Sequence, residues 1–345
     1  MEIDSGGQVD SGKYSRQILF PPIGREGQAR LSAAKVAILG CGALGTTHAS
    51  LLARAGVGCL RIIDRDFVEE SNLQRQILFD ESDAAGRLPK ATAAERKLKQ
   101  INSSISVEGV IADAQARNIE QLVSGFDLVL DGLDNFESRL LLNDAAVKLG
   151  LPWIYGAVVA SYGVTLSVLP GSTACLSCVV PQAPEGIQET CDTAGVIAPA
   201  AAWVASIQAA EALKILCGRT AALHGTLLSY DVWQNRLQRV AVQRDPACRA
   251  CGRREFIYLN AGSPAHSSMC GRGAVQIHQQ TSRHLNLEAL KNRLAQFGPV
   301  WANAFLVQCT LDPYEITVFE DGRAIIKGVQ DASIARSLYA RYVGS

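Results

Sequence analysis

Residues 35–45 read "KVAILGCGALG". The apolar run Val36–Leu39 is short and ends in glycine, the pattern of a buried strand. Gly40, Gly42 and Gly45 then fall in GxGxxG spacing, and "ALGTTHASLLARAG" continues with Leu44, Leu51, Leu52 and Ala55 at helical spacing until Gly56. A strand that turns through glycines into a helix brings backbone N–H groups and the positive end of the helix dipole to one point, where a phosphate is held. Asp64 closes the next apolar run, "CLRIIDRD", 19 residues after Gly45. A carboxylate there accepts hydrogen bonds from ribose hydroxyls.

The alternation runs on. "KATAAERKLKQI" (Lys90–Ile101) predicts a helix, "SVEGVIAD" a strand, "IEQLVSG" a helix, "FDLVLDGLD" (Phe126–Asp134) a strand and "ESRLLLNDAAVKLG" a helix stopped by Gly150. This rhythm predicts an α/β fold: a Rossmann-like, doubly wound, mainly parallel sheet with helices on both faces. "PWIYGAV" and "YGVTLSVLP" predict further strands, Ala200–Cys217 a helix ended by Gly218, and "GTLLSYDVW" with "RLQRVAVQRD" a terminal strand pair. Composition shifts near residue 260, where "NAGSPAHSSMCGRG" (Asn260–Gly273) reads as a linker. A small separate α/β unit is expected beyond it. It has a strand "AVQIH", a helix "LEALKNRLAQFG" capped by Asn286 with Leu287, Leu290, Leu294 and Phe297 on one face, and strands around the hairpin dipeptide Asp321-Gly322. A last helix follows Asp331. The expected organisation is a disordered tail over 1–12, a main domain over 13–259, a linker over 260–272 and a small α/β domain over 273–345.

Bulk composition narrows the function. A chain of 345 residues, 48% hydrophobic, is ample for a sizeable core. Lys plus Arg and Asp plus Glu both number 33, so no basic field argues for nucleic acid. "MEIDSGGQVDSGKY" lacks the apolar segment of a secretory signal. The longest apolar run, "VIAPAAAWVASIQAAEALKIL", carries Pro199, Gln208, Glu211 and Lys214, which suits a core helix rather than a membrane span. Ten cysteines in such a chain point to the reducing cytoplasm, where clustered thiols read as metal ligands or catalysts before disulfides.

The glycine loop and Asp64 alone fit a nicotinamide-dependent oxidoreductase equally well. Other polar residues shift the balance. "SNLQRQ" (Ser71–Gln76) supplies Asn72 and Arg75, Lys90 follows Pro89 at a helix start, "DGLDN" places Asp131 and Asp134 at a strand end, and "YSRQ" adds Arg16. Cations for a triphosphate beside a strand-end carboxylate for Mg2+ make up a phosphoryl- or nucleotidyl-transfer site, which hydride transfer does not require. Singly each has a plainer reading, Arg75 or Lys90 as a solvated charge and Asp131 or Asp134 as a turn former.

Together, "YSRQILFPPIGREGQARLSAAKVAILGCGALG", "GVGCLRIIDRDFVEESNLQRQ", "GRLPKATAAERKLKQIN", "DLVLDGLDNFESRLLLN" and "ETCDTAGVIAP" closely resemble the MoeB/ThiF family. These are adenylyltransferases for ubiquitin-like sulfur-carrier proteins, related to ubiquitin-activating enzymes. The resemblance covers about Tyr14 to Gly252. It implies ATP-dependent activation of the C-terminal glycine of a carrier ending in Gly-Gly (MoaD/ThiS-like) as an acyl-adenylate, with release of pyrophosphate, in molybdopterin or thiazole (thiamine) biosynthesis. It implies that Gly40, Gly42 and Gly45 line the ATP site and Asp64 binds the ribose. Asn72, Arg75 and Lys90 would contact the phosphates, and Asp134 would hold Mg2+ with Asp131 close by. Arg16 would correspond to the arginine that reaches the partner subunit's ATP, which implies a homodimer. A cysteine desulfurase or a rhodanese is the sulfur donor to expect, and neither nucleic acid nor membrane is a partner. An inactive scaffold that only docks a carrier tail is a further alternative, against which the complete polar set argues.

Two C-x-x-C pairs, "CLSC" (Cys175, Cys178) and "CRAC" (Cys248, Cys251), predict a Zn2+ site of four thiolates that clips the C-terminal part of the main domain onto its middle. A redox pair or buried cysteines are the plainer readings. Cys191, in "QETCDTAGVIAP", matches the family's loop cysteine, which takes the carrier covalently in some members and is dispensable in others. Glu189 and Asp192 beside it would raise a thiol's pKa, so a covalent nucleophile and an ordinary cysteine both stay open. The C-terminal unit lies outside the resemblance and lacks a rhodanese-type cysteine loop. Docking of the carrier and stabilisation of a dimer are the two roles it suggests.

Overall fold

The computed structural model describes residues 12–184, 193–261, 273–277, 284–329 and 331–344, with the backbone alone at 266–269. They fall into two compact units, with the main break along the chain after Ala261.

In the first unit the elements are α1 (Ser15–Ile18), α2 (Gly24–Ala33), β1 (Lys35–Leu39), α3 (Ala43–Ala55), β2 (Cys59–Asp64), α4 (Glu81–Ala85), α5 (Lys90–Ile101), β3 (Ser106–Ile111), α6 (Ile119–Val123), β4 (Leu128–Asp131), α7 (Phe136–Leu149), β5 (Trp153–Val159), β6 (Tyr162–Val168), α8 (Leu176–Val179), α9 (Ala198–Leu216), β7 (Leu227–Asp231), β8 (Arg236–Val240) and α10 (Ile257–Asn260). The eight strands form one sheet in the order β3-β2-β1-β4-β5-β6-β7-β8. Strands β3 to β5 run parallel, and β5 to β8 alternate in direction.

The uninterrupted apolar runs follow from burial on both faces. On β1, Val36 and Ile38 join a core with residues of α3, α5 and α9, whereas Ala37 and Leu39 join a second core with α6 and α7. The chain crosses from β3 over to β4 on the far side of β1, so the strand order reverses between β1 and β4. In sheets of this kind a crevice opens above the carboxyl ends at that reversal. Leu39 pairs with Ile63 and with Asp131, so Gly40, Asp64 and Gly132 leave the three strands side by side.

The strand expected over Phe126–Asp134 ends at Asp131, because the Leu133 N–H donates to Asp131 Oδ1 (2.9 Å) and folds the chain into a turn. Helix α9 starts at Ala198, earlier than expected, with Pro199 in its first turn, where a missing N–H costs little.

The second unit contains β9 (His266–Met269), β10 (Ala274–Ile277), α11 (Leu287–Leu294), β11 (Val300–Ala302), β12 (Leu306–Leu311), β13 (Tyr314–Phe319), β14 (Ala324–Lys327) and α12 (Ala332–Tyr342). Its antiparallel sheet has the order β11-β12-β13-β14-β10-β9. Strand β9 falls inside the stretch that reads as linker. Asn286 caps α11 by accepting from the Ala289 N–H (3.0 Å), and Asp331 caps α12 through the N–H groups of Ser333 and Ile334. Leu290 and Leu294 pack with Ile316, Val318 and Tyr339 in one core. Phe297, expected on that buried face, lies past the helix end, 50% exposed and edge-on to Tyr342.

Among the described residues no helix is long and apolar enough to cross a membrane.

Candidate functional site

The glycines after β1 do two different jobs. Gly40 leaves the strand at φ +90°, and a Cβ on it would stand 2.5 Å from Gly132 O. A Cβ on Gly45 would stand 1.9 Å from Gly40 O, and one on Gly132 2.4 Å from the same oxygen. The exits of β1 and β4 and the first turn of α3 are thus interlocked backbone against backbone. The Gly40 N–H donates to Ile63 O and the Gly132 N–H to Leu39 O, both at 2.8 Å. Gly42 is different: a Cβ there would meet nothing nearer than 4.0 Å. It is the N-cap of α3 and supplies no side-chain cap, so the first N–H groups of that helix lack a side-chain acceptor from it. Helix ends of this kind bind anions.

Charged residues gather at the neighbouring strand ends. Asp64 accepts from the Cys41 N–H (2.6 Å) and the Asp66 N–H (2.7 Å), which ties the β2 exit to the glycine loop. Burial pushes its carboxyl up, against the opposing pull of Lys90. Lys90, the first residue of α5, is 4% exposed and reaches Asp66 Oδ2 at 3.5 Å. Arg65, which sequence reasoning passed over, donates to Asp113 Oδ1 on the β3 exit (3.0 Å) and lies 3.8 Å from Asp66. Burial works against its charge, yet Asp113 and Asp66, aided by Asp134 and Asp64, hold it firmly protonated. Asp134 is exposed on the turn after β4 and accepts from Asn135 Nδ2 (3.1 Å).

The remaining candidates are placed less simply. Asn72 is 2% exposed and caps the short turn Glu70–Asn72 by accepting from the Glu69 N–H (3.2 Å). Arg75 donates to Ser71 O (2.9 Å) and is half-buried. Gln76, one residue on, is buried with its amide nitrogen nearest the Gly42 Cβ position, a neighbour that only the folded chain reveals. Arg16, on α1, is exposed and makes no side-chain hydrogen bond or ion pair among the described residues.

Asp131 is fully buried rather than on the crevice surface. It accepts from the N–H groups of Leu133 (2.9 Å) and Gly156 (3.3 Å) and faces Arg139 Nε at 3.4 Å. Gln208 braces the same turn, donating to Asp131 O (3.1 Å) and Ile154 O (3.0 Å), while its Oε1 lies 2.8 Å from His48 Nε2 on α3. Burial lowers His48 to about 4, which keeps it neutral. Burial raises Asp131 to about 6, with Arg139 pulling back. The native state therefore keeps a proton there that the unfolded chain has released above about 4. This group's stabilising contribution is full below that pH and is lost as pH rises through about 6, on the order of 2–3 kcal/mol. The side-chain carboxyl carbon of Asp131 is expected to titrate in NMR with a midpoint near 6; an ordinary carboxylate midpoint would contradict this burial.

The four cysteines meet away from the crevice. Cys175, Cys178, Cys248 and Cys251 lie within 4.8 Å of one another at sulfur, with contacts of 3.5, 3.7 and 3.9 Å. Tetrahedral zinc with Zn–S of about 2.3 Å requires S···S edges of about 3.8 Å, so the donor set fits that ion. Burial and crowding push Cys175 up and Cys251 to about 11. At Cys248 burial is outweighed by N–H groups of Cys251 and Ala250 directed at the sulfur, and the pKa falls. Cys191 lies outside the described residues.

Comparison with known proteins places these features in a family. A model of the ThiF family matches residues 14–250. The sulfur carrier protein ThiS adenylyltransferase of Bacillus subtilis is 46% identical over 338 residues, 97% of this chain and 100% of its own. The sulfur carrier protein adenylyltransferase of Thermus thermophilus is 38% identical over 70% of this chain and 90% of its own. Among solved structures, E. coli MccB with ATP superposes with a TM-score of 0.61 at 25% identity, over 71% of this chain and 76% of that one.

Proposed function

The chain belongs to the ThiF family and is an adenylyltransferase, and from that premise we propose that it activates the C-terminal carboxylate of a sulfur-carrier protein ending in Gly-Gly. The observation that carries this reading is the uncapped start of α3 held by the Gly40–Gly45–Gly132 interlock, with Asp64 and Lys90 beside it.

A glycine carboxylate is a poor electrophile. In the proposed reaction its oxygen attacks the α-phosphorus of ATP, the bond from that phosphorus to the bridging oxygen breaks, and pyrophosphate leaves. The acyl-adenylate so formed is open to a thiol or persulfide. Gly42 and the α3 N–H groups receive phosphate oxygens, and Asp64 receives the ribose. Lys90 and Arg75 offset charge that grows on the phosphates. Asn72 shapes the turn that carries Arg75, and Asp131 holds the β4 exit from beneath. Asp134 would hold Mg2+, whose charge adds to that neutralisation; one exposed carboxylate suits an ion that keeps several waters. The four cysteines would hold zinc as a closed structural site.

The finer assignments rest on the same premise. Arg16, exposed and without a side-chain partner among the described residues, serves the site of a second copy, making a homodimer. Cys191 receives the activated carrier, and a cysteine desulfurase or rhodanese supplies sulfur in the cytoplasm. The Bacillus relative matches nearly end to end, C-terminal unit included, and its name specifies ThiS, which favours the thiazole branch.

ATP–pyrophosphate exchange tests the reading. Exchange is expected with a ThiS-like carrier and to vanish when the carrier's terminal glycine is removed, while Cys191→Ala keeps exchange and loses sulfur transfer. NAD(H) binding without carrier-dependent exchange would overturn it.

A further inference from the structure

The two C-x-x-C turns stand 73 residues apart in sequence, and side chains rather than strand pairing join them. Arg249, inside the second turn, directs Nη1 and Nη2 at the two oxygens of Asp144 on α7, each at 3.0 Å. Its Nη2 also donates to Ser177 Oγ, inside the first turn, at 3.1 Å. Asn143, the neighbour of Asp144, accepts from the Leu176 N–H (2.9 Å) and donates to Ser177 Oγ (3.1 Å). Asn143 and Asp144 are both fully buried, and Asp144 also accepts from the Tyr258 N–H (3.0 Å).

This arrangement is more than α7 needs to pack, since Leu140, Leu142, Ala145 and Ala146 already fill the core beneath it. What it fixes is the relation of one thiol pair to the other. A planar guanidinium held by two parallel bonds cannot slide along its carboxylate, and Ser177 joins the first turn to the same fork. Groups that orient metal ligands in this way commonly change metal affinity 10–100-fold when removed.

We propose that Asn143 and Asp144 of α7, with Arg249 as strut, form the outer shell of the four-cysteine centre and hold its thiols in register against loss of the metal. The proposal rests on zinc being the occupant. They are positioning residues that touch no substrate.

The test uses full-length, zinc-loaded protein and follows transfer of zinc to a chromogenic chelator under native conditions, beside a urea titration. Arg249→Leu and Asp144→Asn are expected to release zinc about 10- to 100-fold faster than the wild type. Arg249→Lys, which keeps the charge and loses the fork, should fall between. Arg61→Leu, which removes the Arg61–Glu108 pair elsewhere in the unit, should release at the wild-type rate. A purely structural role would lower the urea midpoint and leave native-state release unchanged, which would overturn the outer shell. Should Arg249→Leu fail to fold, Asn143→Ala leaves the fork intact and is expected to speed release; a wild-type rate there would also count against the proposal. A wild-type protein that binds no zinc would overturn the centre and its shell together, while carrier-dependent exchange, measured separately, reports on the adenylation reading.

Discussion

Lys90→Ala is expected to lower carrier-dependent ATP–pyrophosphate exchange by about 10²–10³-fold, the loss typical of removing one preorganised charge from a transition state. Pro89 precedes Lys90, and the Lys90 N–H donates to Asp66 O (2.9 Å), so the start of α5 is pinned at the β2 exit. The ammonium lies beside Asp66 at 3.5 Å, with 5% of its side chain exposed. Without it, a polyphosphate must approach Asp64, Asp66, Asp113 and Asp134 with Arg75 as the remaining proposed phosphate contact, since Arg65 is already engaged by Asp113 and Asp66. Lys90 also pulls the Asp64 carboxyl down against its burial, so the variant's Asp64 holds its proton to higher pH. Residual exchange should therefore shift its acid limb upward. Stability falls as well, by less than the ~3–5 kcal/mol of a fully buried broken pair, because Asp66 keeps some solvent. Lys90→Arg should recover part of the exchange rate. Unchanged exchange in Lys90→Ala, with a normal urea midpoint, would remove Lys90 from the machinery.

The parts of this site that could be read along the chain are those made by neighbours in sequence. The glycines of "ILGCGALG", the carboxylate ending β2 and both C-x-x-C pairs each sit within one turn or strand. Gly132 escaped notice because what forbids its side chain is Gly40 O, contributed by a strand exit some ninety residues earlier. Arg65 carries no signal in sequence because its carboxylate neighbours come from the ends of β2, β3 and β4, which only the sheet order assembles. Asp131 reads in sequence as a strand-end carboxylate, and the structure buries it. Period-two alternation puts it on the face of Val129, which packs against α7, and Arg139 of α7 meets it there. Strand β9 was hidden for another reason. "HSSM" carries almost no apolar signal, and an edge strand can be held by its pairing with β10 alone.

Gly45→Ala and Gly42→Ala are both expected to weaken ATP binding, for different reasons, and the difference is measurable. At Gly45 the new methyl would lie 1.9 Å from Gly40 O and 2.9 Å from Gly40 C. Neither atom belongs to a flexible side chain. Gly40 is held at φ +90° with its N–H on Ile63 O, and its own Cβ direction is closed by Gly132, so the loop cannot yield without parting β1 from β4. Overpacking of this kind costs about 3 kcal/mol, near the top of the usual range, and should lower the urea midpoint. A displacement of about 1 Å at the phosphate cradle is enough for a ~10²-fold loss of function. At Gly42 the nearest atoms stand 4.0 Å away, so alanine fits the empty protein and stability should match the wild type. Its methyl would instead occupy the space where, on the proposed reading, backbone approaches phosphate, and ATP affinity is expected to fall with no change in the melt. Calorimetric titration with ATP, run beside urea denaturation, separates the two. Wild-type ATP affinity in Gly42→Ala would show that the phosphates lie elsewhere, and a wild-type urea midpoint in Gly45→Ala would show that the interlock of the two strand exits yields at little cost.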